Sequence, residues 1–266
     1  MTHVARYASC LRPRFRLAAV ASRSMALALV AGAALAPDAA LAQAKKVALK
    51  GKVQGGETLL NPVWVEANDA KSHRYTFRTR STSAGKQQRP TSYLPRELCV
   101  ALLRRDGAAE SRGTPVTVGV SGGRTTPVTI VVPEGQPLQF VNHDPFSHRL
   151  LDVSSGGLGP EETKAGGNRT WKPPKAGVFE LRDQLAPSLR SWVVVESRTI
   201  ASSYPKLNGA FVIRDLEPGA YDLQAYFMGK PVGKALPVDV KVGVEEQEVR
   251  DPLVVSEPKK SDGEGK

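Results

Sequence analysis

The chain has 266 residues, with 37 Lys and Arg against 26 Asp and Glu, a formal net charge of +11 and only two cysteines. Such a length supports one or two domains with real hydrophobic cores, and so few cysteines exclude a disulfide-stapled scaffold.

Residues 1–42 read as a secretory signal. Arg6, Arg12, Arg14, Arg16 and Arg23 form a basic leader, Met25 to Ala36 is an apolar run too short to span a bilayer, and Ala40-Leu-Ala42 offers a small-residue cleavage site before Gln43. A periplasmic or secreted protein is expected. No later stretch approaches about 20 apolar residues, so no transmembrane segment is expected after signal removal, and no cysteine at the cleavage site offers a lipid anchor. Cys10 belongs to the signal, which leaves Cys99 unable to form an internal disulfide. Within Leu98-Cys-Val-Ala-Leu-Leu103 it reads as a small buried hydrophobe. Without the signal's five arginines and one aspartate, 32 basic residues face 25 acidic ones.

Apolar segments of strand length recur from there on: Val47 to Val53, Val63 to Glu66, Leu98 to Leu103, Thr114 to Val120, Val128 to Val132, Leu138 to Val141, Phe179 to Leu181, Ser191 to Val195, Phe211 to Ile213, Tyr221 to Phe227 and Val238 to Val242. Gly, Pro, Asn and Asp clusters separate them, and no helical stripe is sustained. The expectation is an all-β protein of sandwich type. Between Lys71 and Arg105, nine basic residues stand against Glu97 alone, in a loop or insertion around residues 70–96. Arg74, Arg78 and Arg80 are its candidate anion-binding residues. In an exported protein the corresponding partner is an envelope or extracellular one of anionic character, and not nucleic acid. A solvated loop with no partner is the simpler alternative.

The stretch Val128-Thr-Ile-Val-Val-Pro-Glu-Gly, Leu138-Gln-Phe-Val-Asn-His-Asp-Pro-Phe-Ser-His148 and Val178-Phe-Glu-Leu-Arg-Asp-Gln-Leu-Ala-Pro-Ser-Leu-Arg-Ser-Trp-Val-Val-Val195 resembles a plastocyanin-like cupredoxin with a degenerate copper site. The family's first copper ligand would fall on His148. In its closing loop, Asp183 stands where the cysteine belongs, Ala186 where the second histidine belongs and Leu189 where the methionine belongs, with Pro187, Arg190 and Trp192 holding the frame. Blue copper needs two imidazoles and a thiolate, so the resemblance implies a Greek-key β-sandwich without that chemistry.

Further on, Leu207-Asn-Gly-Ala-Phe-Val-Ile-Arg-Asp-Leu-Glu-Pro-Gly-Ala-Tyr-Asp-Leu-Gln-Ala-Tyr226 is similar to the carboxypeptidase regulatory-like modules of carbohydrate-binding-like fold. It reads as a meander, with Asn208-Gly209 and Pro218-Gly219 as turns and Phe211, Ile213, Tyr221 and Leu223 on one face. The implied organisation is a signal at 1–42, a cupredoxin-like sandwich at 43–197 opened by Val47 to Glu66, a small β module at 198–250, and a disordered tail at 251–266.

Asn142-His-Asp-Pro-Phe-Ser-His148 is the densest polar cluster. A turn at Asp144-Pro145 would fold His143 and His148 together; with Asp183 they would make a mixed N/O site suited to Zn(II), Cu(II) or Fe(II). The alternative is a lone His148 at the sandwich rim with a hydrogen-bond partner, and His143 in solvent. No resident cofactor is expected, with copper or zinc as the metals such a site would take. Ser147, His148 and Asp144 have the residue types of a hydrolytic triad, but neighbours on one turn rarely reach triad geometry. Gly156-Gly-Leu-Gly159 precedes no helix and reads as a loop. Trp171, between polar neighbours, is the candidate exposed aromatic for sugar stacking. The leading expectation is a non-catalytic exported protein acting in binding or envelope assembly. The alternatives are a non-blue metal or redox protein and a carbohydrate-binding module.

Overall fold

The computed structural model describes residues 46–61 and 91–256. Val63 to Glu66, most of the basic segment with Arg74, Arg78 and Arg80, and residues 1–42 expected as a signal lie outside the described residues. Apart from a 3-10 turn at Gly56–Thr58 and a four-residue helix at Leu94–Glu97, the regular elements are strands, so the protein is all-β.

One sandwich is continuous in sequence. Strands β3 (Val116–Val120), β4 (Thr125–Thr126), β6 (Leu138–Asn142) and β8 (Asn168–Trp171) form one sheet in the order β4-β3-β6-β8. Strands β5 (Thr129–Val132), β7 (Leu150–Asp152), β9 (Gly177–Asp183) and β10 (Arg190–Val195) form the other, ordered β5-β10-β9-β7. Pairs β3–β6 and β5–β10 are parallel, so the chain changes sheets between their members. Alternate residues from both sheets, among them Val118, Phe140, Ile130, Phe179, Leu181 and Val193, close the core between them.

The second sandwich is assembled from both ends of the described chain. Its sheets use β1 (Val47–Gln54), β2 (Leu98–Arg104), β11 (Thr199–Ser203), β12 (Ala210–Leu216), β13 (Gly219–Phe227), β14 (Lys230–Val240), β15 (Glu246–Glu248) and β16 (Leu253–Val254). One sheet runs β12-β1-β15 with β16 also beside β1, and the other runs β11-β2-β13-β14. This corrects the organisation expected from chain order. β1 and β2 do not open the first sandwich: Val47 pairs with Leu216, Lys52 with Ala210, and Leu102 with Leu223. Their inward residues Leu49, Val100 and Leu102 share a core with Phe211, Ile213, Tyr221 and Leu223. The boundary at residue 197 marks only the end of an insertion into one sandwich, whose strands lie on either side of it.

Two more expectations change. The four apolar residues around the Pro218-Gly219 turn do face one core, but β12 and β13 lie in opposite sheets, so that turn crosses between sheets and is no meander hairpin. The tight hairpin is β13–β14, turned by Met228 (φ 51°) and Gly229 (φ 74°). A Cβ on Gly229 would come within 2.7 Å of Val178 and 3.0 Å of Trp192, so glycine lets this hairpin abut the first sandwich. At the C-terminal end, Leu253 and Val255 are each 1% exposed and belong to the second core, so order extends into the segment from residue 251 that was expected to be disordered.

β2 joins the two cores. Leu98 to Leu103 is buried without interruption because both faces of the strand are covered. Leu98, Val100 and Leu102 point into the second sandwich, while Cys99, Ala101 and Leu103, with Tyr226 of the neighbouring β13, meet Val131 and Val194 across the junction. Three polar contacts pin that junction: Thr129 Oγ1 donates to Glu97 O (2.6 Å), Tyr204 Oη donates to Thr129 O (3.0 Å), and Val128 N donates to Arg96 O (2.9 Å). Burial pushes the Cys99 thiol up to about 12, in keeping with a packing residue. We predict that Leu102→Ala lowers the unfolding free energy by about 2–5 kcal/mol, whereas the exposed Val242→Ala stays within about 0.5 kcal/mol of the parent, as read from urea denaturation.

Candidate functional site

Three loops meet at one end of the first sandwich: residues 121–124 after β3, 143–149 after β6, and 184–189 between β9 and β10. His148 lies where they converge and is 1% exposed. Its backbone is fixed by a two-way bridge to Thr163, with N···O distances of 3.0 and 2.8 Å. Its ring is fixed by two carboxylates. Nε2 lies 3.0 Å from Asp144 Oδ2, and Nδ1 lies 3.2 Å from Asp183 Oδ2.

Both carboxylates are in turn held by backbone N–H groups. Asp144 accepts from Gly122 (2.6 Å) and Gly123 (2.8 Å), two consecutive residues at φ 61° and 62°. Left-handed backbone of this kind turns neighbouring N–H groups toward one anion and suits glycine. Asp183 accepts from Arg149 (2.8 Å), Leu185 (2.7 Å) and Ala186 (2.7 Å). Ionised carboxylates only accept, so making both ring contacts as hydrogen bonds requires the imidazolium form. The five backbone donors satisfy the oxygens of the two carboxyl groups that flank the ring. Asn142 locks the strand end nearby, its Nδ2 donating to Phe146 O, Thr163 O and Lys164 O while its Oδ1 accepts from Asp144 N. Phe146 covers the imidazole, ring centroids 4.9 Å apart, and is itself half-exposed.

Of the residues singled out from sequence, the structure brings His148 and Asp183 together and leaves His143 out. His143 is exposed, with its ring against Gly119, because Asp144-Pro145 turns the next residue inward instead. This is the reading with His143 in solvent and His148 held by hydrogen-bond partners; Asp144 occupies the place at the imidazole that His143 would take in a metal site. Among the described residues no group of three or more His, Cys, Asp or Glu is placed to hold a metal ion. Ala186 and Leu189 belong to the apolar core beneath the cluster, and Cys99 belongs to the junction core.

The sequence sets Asp144 beside His148 only among the residue types of a hydrolytic triad, not as one of two carboxylates clamping the ring. Asp144 stands four residues before His148, and the Gly122-Gly123 pair marks a carboxylate cradle, but the two features are 21 residues apart. Ser147 Oγ donates to Glu162 (2.8 Å), so the residues of a hydrolytic triad do not assemble. The glycine-rich loop is organised by a carboxylate of the chain itself: Asp152 accepts from Ser154 N, Ser155 Oγ and Gly157 N. Trp171 corrects the expected exposed aromatic. It is 6% exposed, meets Phe179 edge-on at 5.5 Å and donates Nε1 to Gly157 O, because strand alternation turns it inward from polar neighbours.

No protein-family model matches the chain, and no curated protein does. Solved structures similar to it are cupredoxins. Amicyanin from Paracoccus versutus aligns over 36% of this chain and 98% of its own, at 18% identity and a TM-score of 0.29. A purple cupredoxin from Nitrosopumilus maritimus aligns over 30% of this chain and 99% of its own, at 15% identity and a TM-score of 0.28.

Two outcomes follow from the cluster. The Gly123 N–H, with that of Gly122 and His148, holds the Asp144 carboxyl below its ordinary range against the opposing effect of burial. A folded pKa below the unfolded value of about 3.9 means that the stabilisation is present above that value and is lost as pH falls through the folded one. The urea midpoint should therefore drop as pH is lowered from about 5, and Asp144→Asn should flatten that drop. His148→Ala removes the shared ring partner of two buried carboxyl groups and should cost about 3–5 kcal/mol in the same assay.

Proposed function

We propose that this is a non-catalytic exported protein of cupredoxin-like architecture in which the blue-copper position has become a structural clamp, and that it acts in binding or envelope assembly. The observation that carries this reading is the occupation of both His148 ring nitrogens by Asp144 and Asp183. An imidazole ligates a metal through a ring-nitrogen lone pair, and here both nitrogens already face internal partners. The donor set of a blue site is also incomplete, since the position of the thiolate holds Asp183 and those of the second imidazole and thioether hold Ala186 and Leu189. The clamp has a different use: it ties three loops to one buried side chain and gives the end of the sandwich a fixed shape. Fixed loops on a rigid scaffold are what a binding protein presents to a partner.

Titration of the full chain with Cu(II), followed by visible absorption and by thermal melting, tests the reading. The expected result is no intense thiolate-to-copper band and no rise in melting temperature that His148→Ala removes. A blue band, or a metal-induced rise that depends on His148, would overturn it in favour of a metal-handling protein.

A further inference from the structure

A cleft of about 440 Å³ runs along the junction of the two sandwiches. Three sheets end there. Among the described residues β5, β11 and β12 are each the terminal strand of their sheet, pairing only with β10, β2 and β1 respectively, and Ile130, Ile200 and Val212 line the cleft from the three in turn. A terminal strand leaves a row of backbone donors and acceptors without strand partners, which proteins usually shield with charge, proline or a covering element. β5 is bracketed by Pro127 and Pro133, and β12 carries Arg214 and Asp215. β11, Thr199-Ile-Ala-Ser-Ser203, has neither charge nor proline.

The lining chemistry is selective. Thr199 is 2% exposed, and its hydroxyl has no hydrogen-bond partner among the described residues. The cleft's charged residues are Arg112, Arg214 and Glu110, all exposed, and neither arginine forms an ion pair among the described residues. The floor between them is aliphatic, with Val131, Ile200 and Val212.

We propose that the cleft binds an extended, acidic peptide segment of a partner protein, which adds as a strand to the open edge of β11. Backbone pairing to β11 supplies affinity, alternate apolar side chains of the peptide lie on the aliphatic floor, and a carboxylate of the peptide meets Arg112 and Arg214. Pockets of this volume at a junction of two domains are common binding sites, and here the open strand edge selects a polypeptide over a compact small molecule. The cleft is separate from the His148 cluster, so the inference holds or fails independently of how that cluster is read.

The test is selection of random peptides on the immobilised full chain, followed by fluorescence anisotropy with the winning peptide. The expected winners alternate β-branched residues and carry Asp or Glu. Arg112→Glu with Arg214→Glu, both at exposed positions, should weaken binding at least tenfold while the melting temperature stays at the parent value. N-methylation of alternate backbone nitrogens of the peptide should weaken it by a similar factor, and this second measurement leaves the protein untouched. Failure to enrich any peptide above an unrelated control protein, or a winner indifferent to both changes, would overturn the proposal. A concentration-dependent dimer abolished by the double charge reversal would overturn it as well, and would assign the edge to a second copy of this chain.

Discussion

The structure depends on a strand that must satisfy two cores at once. Side chains of a strand alternate with period two, so a strand buried on both faces sends odd and even residues into different interiors. In β2 the large residues Leu98, Val100 and Leu102 fill the second sandwich, while the residues on the other face begin with two small ones, Cys99 and Ala101. Small side chains let the β5–β10 edge of the first sandwich approach, and Val131 and Val194 repeat the device from the opposite side. Ile130, Val132, Val193 and Val195 of these two strands are set in their own core, while Val131 and Val194 face the junction. Where the two sandwiches meet, β2, β5 and β10 are covered on both faces, which is why their sequences run hydrophobic with little alternation.

That property explains what could and could not be seen beforehand. Strands with a strong apolar pattern declared themselves, including β1, β2, β6 and β13. β7, β8 and β11 did not, because β7 has three residues, β8 shows only Trp171 to the core, and β11 is mainly Thr and Ser. Strand pairing was less legible than strand existence. Apolar alternation states that a face is buried and says nothing of which core buries it, so chain order placed β1 and β2 in the sandwich that follows them in sequence. The pairing of Val47 with Leu216 is a tertiary fact with no local signature.

The site shows the same division. His148 and Asp183 could be placed because a frame of Pro187, Arg190 and Trp192 fixed the register of the loop that carries Asp183. His143 could not be placed, because turn residues leave the direction of the neighbouring side chain open. Two backbone donors, Gly122 and Gly123, hold the Asp144 carboxylate at the imidazole, while the His143 ring lies outside against Gly119. Burial of Trp171 failed to show for a related reason: its flanking residues are polar, yet a strand turns neighbours to opposite sides.

The insertion of one sandwich within the other sets the order in which the chain can complete itself during synthesis. Every strand of the first sandwich lies between Val116 and Val195, so that unit has all its partners as soon as residue 195 is made. β1 and β2 are made earlier and wait longer: β1 needs β12, β15 and β16, and β2 needs β11 and β13. Until then the apolar run from Leu98 to Leu103 has neither of its two coverings from the second sandwich, and the finished first sandwich, through Val131 and Val194, is the surface on which it can wait. The earliest strands of the molecule are therefore its last to be satisfied, and the central unit serves as their template.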